Sequence, residues 1–209
     1  MTNSTVAFAL ACTLLCTTAL AQQKGTFTDT RDGKIYKTVK IGEQVWLAEN
    51  LNYEADGSKC YDNKPANCKK YGRLYNWQTA KEVCPKGWYL PSKSDWKVLT
   101  EAIGGEMTEG RYLKANRGWN ESGNGKDKYG FSALPGGFGN YGGSFEDVGD
   151  YGSWWCSSVD GNLNAHIRYI GYDSNDANWD SSGYDYLNSV RCLQDTNPKE
   201  PLNDKSHLE

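Results

Sequence analysis

The chain has 209 residues, with 23 Lys and Arg against 26 Asp and Glu, and a formal net charge of −3. No stretch is strongly basic, which argues against nucleic acid as a partner. Eight Trp and fourteen Tyr against five Phe supply many rings that combine apolar area with a polar atom, a composition suited to ligand contact as well as to a core.

Residues 1–21 are expected to form a cleaved signal peptide. Residues 8–15 are apolar and uncharged, and Ala19-Leu20-Ala21 is a small-x-small cleavage site before Gln22. The apolar run is too short to span a membrane. A lipid-modified Cys12 or Cys16 is disfavoured, because neither has a Leu three residues before it. The prediction is an exported protein, extracellular, at the outer surface or in the periplasm, with no transmembrane segment after cleavage.

Export places the remaining cysteines in an oxidising compartment. They are Cys60, Cys68, Cys84, Cys156 and Cys192. Five cysteines allow two disulfides and leave one thiol. Cys60 and Cys68 are close in sequence, which makes a local loop one natural pairing. The residues alone do not decide the connectivity.

The first half of the mature chain contains a predicted hairpin and short helices. Residues 22–30 are polar and are expected to be a lead-in. Residues 34–48 fit a hairpin with Ile35, Val39 and Ile41 on one parity and a turn at Gly42-Glu43. Residues 48–70 form a polar excursion, and residues 76–83 fit a short helix that ends before Pro85.

Residues 92–103 give the strongest helix signal. Ser92 and Asp95 form a capping-box pattern, and Trp96, Leu99 and Ile103 share one helical face. Gly104-Gly105 ends the helix. A weaker helix is predicted over residues 107–115.

From residue 118 onward glycines and short aromatic runs dominate. Strands are predicted at 131–138, 154–159, 165–172 and 188–193, and the polar residues 196–209 are expected to form a disordered tail. Early helices followed by short strands indicate an α+β fold. Trp46, Trp88, Trp96 and Trp154 are expected in the core.

Several motifs occur in a characteristic order: 46–51 (WLAENL), 71–77 (YGRLYNW), 84–92 (CPKGWYLPS), 131–137 (FSALPGG), 154–155 (WW) and 189–192 (SVRC). Together they resemble the Fibrobacter succinogenes major paralogous domain and, more distantly, the C-type-lectin-fold group that includes sulfatase-modifying factors. The resemblance spans about 27–195, and the domain is assigned to 31–195.

This resemblance implies a C-type-lectin-like fold with two main helices, short antiparallel strands and long loops. It also implies that the first and last strands pair and that a Cys84–Cys192 disulfide staples the fold. Cys156 is then left as a buried free thiol.

Few residues are suited to catalysis. His207 lies in the tail and His166 on a predicted strand, where a single histidine is usually a packing or surface residue. No Ser-His-Asp, Cys-His or metal-type His spacing occurs. Sulfatase-modifying factors use a cysteine pair near the chain end, whereas here Cys192 is the only cysteine in that region. An enzyme of that type is therefore disfavoured, and no catalytic residue is assigned.

A calcium site is a weaker hypothesis. Candidate oxygen ligands alternate along one segment: Asp173, Asn175, Asp176, Asn178 and Asp180. Calcium takes six to eight oxygens. The segment lacks the glycine and the terminal Glu of an EF-hand loop. A solvated polar loop without an ion is the favoured alternative, and no other cofactor is expected.

Residues 160–188 form the candidate ligand-binding loop region. Twenty of these 29 residues are Asp, Asn, Tyr, Ser or Gly, types that serve as adaptable contacts in binding loops. The candidate ligand-binding residues are Arg168, Tyr172, Asp173, Trp179, Asp180 and Tyr184. The expected function is a secreted or cell-surface binding or adhesion module for a polysaccharide or surface protein. For the segment itself the alternative is turn formation alone. For the protein the alternatives are a structural surface-assembly subunit without a small ligand, whose aromatic loops make protein contacts, and the disfavoured enzyme.

Overall fold

The computed structural model describes residues 23–196. The predicted signal peptide and the predicted tail beyond residue 196 lie outside the described residues. The described chain is a mixed α+β structure in which strands predominate. No helix within residues 23–196 has the length and apolar character needed to cross a membrane.

The secondary structure consists of short elements. The strands in chain order are β1 (Lys24–Thr28), β2 (Ile35–Ile41), β3 (Gln44–Leu47), β4 (Ser58–Lys59), β5 (Leu74–Tyr75), β6 (Trp88–Tyr89), β7 (Gly136–Gly139), β8 (Phe145–Val148), β9 (Tyr151–Val159), β10 (Asn164–Gly171), β11 (Ala177–Gly183), β12 (Asn188–Ser189) and β13 (Leu193–Gln194). The helices are α1 (Pro65–Tyr71), α2 (Trp77–Ala80), α3 (Lys93–Ala102) and α4 (Glu109–Leu113).

One sheet is built around the N-terminal hairpin, in the order β1-β2-β3-β13-β6. The predicted hairpin is confirmed as β2 and β3, with Gly42 in the left-handed region at φ 58°. The predicted lead-in is wrong, because Lys24–Thr28 pairs along β2. Ile35 is also not a core residue, since it is 63% exposed while Val39 and Ile41 are buried.

A second sheet runs in the order β11-β10-β9-β12-β5-β4, with β7 and β8 attached beside β9. The single strand predicted over 188–193 is in fact two strands, β12 in this sheet and β13 in the first. The expected pairing of first and last strands also differs. Strand β13 pairs with β3 and β6, and β1 pairs with β2. The chain end therefore links the two sheets.

The helices are shorter than the sequence indicates. Only α3 reaches ten residues, and its Ser92–Asp95 capping box is present, which confirms that prediction. The helix predicted over 76–83 covers only Trp77–Ala80, and the one over 107–115 is a 3-10 turn (Glu106–Thr108) followed by α4. Helix α1 lies in the predicted polar excursion and was not anticipated.

The two disulfides are Cys60–Cys68 and Cys84–Cys192, which confirms both pairings. Cys156 is a buried free thiol, as predicted. Trp46 of β3, Trp96 of α3 and Trp154 of β9 are buried together in one core cluster. Trp88 is buried in a second cluster near the Cys84–Cys192 bond. The core therefore lies between the two sheets and α3.

Candidate functional site

The antiparallel strands β9, β10 and β11 divide the predicted ligand-binding residues between two faces of one sheet. Arg168 on β10 is paired with Trp154 and Trp179, whereas its neighbour Ile167 is paired with Trp155 and Asp180. Successive side chains of a strand point to opposite faces. Arg168 and Trp179 therefore share the inner face with Trp154, while Asp180 lies on the outer face.

Arg168 is part of the protein interior and not of an exposed binding surface. Its side chain is 1% exposed and forms an ion pair with the buried Glu109 on α4. Burial raises the pKa of the Glu109 carboxyl, and the guanidinium of Arg168 opposes that rise. The Trp179 ring covers the same guanidinium at 4.7 Å. This corrects the prediction that Arg168 contacts a ligand, because its charge is used to join β10 to α4.

The turn after β10 is held by an internal cation. The Lys114 ammonium donates to the carbonyl oxygens of Gly171 at 3.0 Å, Tyr172 at 3.1 Å and Ser174 at 2.8 Å. Lys114 is 3% exposed. Burial lowers the pKa of its ammonium, and Asp173 raises it. Carbonyl oxygens that a calcium ion would need are thus bound by an amine of the chain itself.

The hypothetical calcium ligands are not brought together. Asp173, Asn175 and Asp176 lie in the turn, while Asn178 and Asp180 lie on the exposed face of β11. Among residues 23–196, no group of three or more His, Cys, Asp or Glu is placed to hold a metal ion. The geometry therefore gives no support to the calcium hypothesis.

Tyr184 is used in packing. Its ring stacks on Trp77 of α2, with 4.3 Å between ring centroids and 11° between planes. The Trp77 indole N–H in turn donates to the Cys156 carbonyl oxygen at 3.0 Å. This stack fastens α2 to the second sheet, in the cluster that also contains Trp155 and Ile167.

The outer face of the sheet forms a cleft of about 380 Å³, a size found for small-molecule sites. Its lining combines rings with hydroxyl, amide and carboxylate groups. The residues are Phe138, Asp147, Tyr151, Ser153, Ile167, Tyr169, Asp180, Ser181, Ser182, Tyr186 and Asn188. We call this site the outer cleft. Of the six predicted ligand-binding residues, only Asp180 lines it.

Aromatic rings form the walls of the outer cleft. Tyr151 on β9 and Tyr169 on β10 lie 6.1 Å apart between ring centroids. Tyr186 contacts both Phe138, at 6.4 Å and 28° between planes, and Tyr141, at 5.8 Å. Tyr141 is 79% exposed, so the aromatic wall continues from the cleft onto the surface.

At one wall of the outer cleft, Gly137 allows strand β7 to lie close to strand β8. Gly137 on β7 has φ 63°, and a Cβ atom there would lie 2.3 Å from the carbonyl oxygen of Glu146 on β8. Both the backbone conformation and the contact therefore require glycine. This close approach carries the neighbouring Phe138 to the cleft edge.

The floor of the outer cleft is a buried hydrogen-bonded chain. The Ser153 hydroxyl donates to Asn188 Oδ1 at 2.7 Å, and Asn188 Nδ2 donates to the Ser182 hydroxyl oxygen at 3.4 Å. All three residues are buried. Since Ser182 accepts this bond, its own O–H can donate into the cleft.

Two carboxylates complete the site. Asp180 projects from β11, and Asp147 lies on β8 with φ 62°. Burial raises the pKa of the Asp147 carboxyl, and Glu146 and Asp150 raise it further. The outer cleft therefore offers ring faces together with hydrogen-bond acceptors, which suits a ligand that has both apolar faces and hydroxyl donors.

The comparisons with known proteins identify one family. A family model described as the Fibrobacter succinogenes major domain matches residues 39–194, which include every residue of the outer cleft. No curated protein and no solved structure matches the chain.

Proposed function

We propose that this chain, which belongs to the Fibrobacter succinogenes major domain family, is an exported binding module that holds a carbohydrate chain in the outer cleft. The observation that supports this function best is the pair Tyr151–Tyr169 beside Asp180 on one open sheet face. Sugar rings have apolar C–H faces that stack on aromatic rings and hydroxyl groups that donate to carboxylates.

Export is supported by two independent features. The apolar segment 8–15 precedes a small-x-small cleavage site. Two disulfides are formed, and such bonds persist in oxidising compartments. A polysaccharide of the cell envelope or of the surroundings is therefore accessible to the protein as a ligand.

Binding without turnover is part of the proposal. His166 lies on the inner face, in edge contact with Trp179 at 6.2 Å. Burial raises the pKa of the Cys156 thiol, and the other four cysteines of residues 23–196 are in disulfides. These contacts support structural roles for His166 and Cys156, and they disfavour chemistry of the sulfatase-modifying-factor type, which uses a reactive cysteine pair.

The test is depletion of purified protein (residues 22–209) from solution by a panel of insoluble polysaccharides, with calcium and with chelator. We expect binding of at least one polysaccharide in both conditions, at least tenfold weaker binding by Tyr169→Ala, and no release of reducing ends. Loss of one buried ring contact of about 1.4 kcal/mol corresponds to a tenfold change.

A matched control is Tyr89→Ala, which removes a partly exposed tyrosine from β6 of the other sheet. Equal loss in both variants contradicts a specific site. Binding to none of the polysaccharides contradicts the carbohydrate proposal and favours a protein partner in a surface assembly.

A further inference from the structure

A second cavity, beside the hairpin of β2 and β3, has the reverse charge of the outer cleft. It encloses about 220 Å³, the space of about seven waters at about 30 Å³ each. Five cationic residues line it: Lys34, Lys37, Lys69, Lys70 and Arg117. The only acidic residue in its lining is Glu49. We call this cavity the basic groove.

Among the described residues, no cation of the basic groove forms one of the direct ion pairs. The ion pairs of the described chain are Arg31–Asp29, Lys40–Glu43, Lys64–Asp62, Arg73–Glu54, Lys97–Glu101 and Arg168–Glu109, and none involves a groove cation. The Glu49 carboxylate accepts the backbone N–H of Lys37 at 2.9 Å. The lining therefore contains one carboxylate against five positive charges, with Asp32 acting on Lys34 from outside the lining, in a protein whose net charge is −3.

The helix dipole does not explain this cluster. Lys69 and Lys70 lie in the last turn of α1, where cations are favourable. Lys34 precedes β2, Lys37 lies on β2, and Arg117 follows α4. Three separate parts of the chain thus contribute cations to the same small space, which costs free energy through mutual repulsion unless an anion is present.

A further positive charge lies directly behind the groove. Asn50 lines the groove, and its Oδ1 accepts from the buried Arg191 guanidinium at 2.7 Å. The other acceptors of Arg191 are the backbone carbonyl oxygens of Leu47 and Phe131. Burial lowers the Arg191 pKa to about 9, so the group remains charged at neutral pH. A buried cation with only neutral acceptors among the described residues makes the potential in the groove still more positive.

Lys34 is partly dehydrated, whereas the other four cations of the groove are exposed. Burial lowers the pKa of the Lys34 ammonium, and Glu49 and Asp32 oppose that effect. The floor consists of Ala48, Asn50, Tyr71 and Gly72. Charges in such a partly enclosed site are screened less than charges on an open surface.

We propose that the basic groove binds an anionic group, a carboxylate, sulfate or phosphate, as a second site independent of the outer cleft. The volume admits one such group with the residue that bears it. The group can come from an acidic polysaccharide or from a free anion.

The experiment is calorimetric titration of residues 22–209 at low salt with three probes: inorganic sulfate, a fully sulfated disaccharide and its unsulfated counterpart. The test variant is Lys70→Gln with Arg117→Gln, two exposed groove residues. The matched control is Lys97→Gln with Lys126→Gln, which removes the same charge from exposed sites outside the groove. Tyr169→Ala tests independence from the outer cleft.

We expect the sulfated disaccharide to bind, with about tenfold or greater weakening in the groove variant and less than about twofold in the control. The unsulfated disaccharide should not bind in the basic groove, and the Tyr169→Ala variant should still bind the sulfated disaccharide. If inorganic sulfate binds as strongly as the sulfated disaccharide, a free anion is sufficient as the ligand. If the disaccharide binds more strongly, the ligand is an acidic sugar. Absence of binding by both anions, or equal weakening in both charge variants, overturns the proposal.

Discussion

The two faces of strands β9–β11 contain similar residue types but differ in what those residues do. On the inner face Arg168 and Trp179 are packed together, and Arg168 is paired with Glu109 of α4. On the outer face Tyr169 and Asp180, each adjacent in sequence to one of those residues, line an open cleft. An aromatic, charged composition therefore does not by itself identify a ligand site. Strand parity decides which side chains can reach a ligand.

The largest effect is expected on the inner face. Arg168→Leu should lower the free energy of unfolding by about 3–5 kcal/mol, because it leaves Glu109 buried without its cation. Urea denaturation measures this change. The double variant Arg168→Leu, Glu109→Leu should recover much of the loss, since no charge then remains buried. If Arg168→Leu alone is as stable as the wild-type protein, the Arg168–Glu109 pair does not stabilise the inner face, which contradicts this account.

The next effect tests the internal cation of the β10–β11 turn. Lys114→Met should cost about 3 kcal/mol, because three carbonyl oxygens lose a charge-assisted donor. Calcium should not restore stability, because the turn carboxylates do not converge. Thermal unfolding with calcium and with chelator measures both points. Stabilisation of the wild-type protein by calcium would revive the metal hypothesis.

Tyr169→Ala is expected to separate binding from stability. The ring packs beside Tyr151 on the open face, so its removal should cost only about 1 kcal/mol of stability. Polysaccharide binding should nevertheless fall at least tenfold. Denaturation and depletion assays on the same preparation measure the two quantities. If Tyr169→Ala loses as much stability as Arg168→Leu, the outer face is as important for folding as the inner face, which contradicts the proposed difference between them.

The smallest effect concerns pH and the outer cleft. The Asp147 pKa is raised in the folded state, so its protonated form contributes stability that is fully present below the unfolded pKa and is lost as pH rises through the folded pKa. Asp147→Asn should remove this contribution and flatten the stability profile in the acidic range above 3.8, the usual pKa of an Asp side chain. Denaturation at several pH values tests this. Identical profiles for the two proteins contradict it.

Local sequence signals predicted several parts of the fold. The capping box at Ser92 and the hairpin turn at Gly42 depend on neighbouring residues, and both are present. Strand β11 was missed because Asn178 and Asp180 are typical of turns. They are tolerated there because β10 supplies the pairing and β11 is an edge strand.

The outer cleft was less predictable for a non-local reason. Phe138 and Asp147 reach it through pairings of β7 with β8 and β9, which no local pattern specifies. Tyr169 adjoins the predicted Arg168 but points to the other face. Choosing between them requires knowing which face packs on the helices. The region chosen from the sequence therefore includes part of the outer cleft lining, but of the six side chains chosen only Asp180 lines it.

The most direct test of the outer cleft as the ligand site compares Tyr169→Ala with Trp179→Phe in polysaccharide depletion, with folding verified for both. The substitutions alter aromatic residues on opposite faces of the same strand pair. The structure predicts at least tenfold weaker binding for Tyr169→Ala and unchanged binding for Trp179→Phe. Loss of binding in Trp179→Phe with retention in Tyr169→Ala would contradict the assignment of the ligand to the outer face.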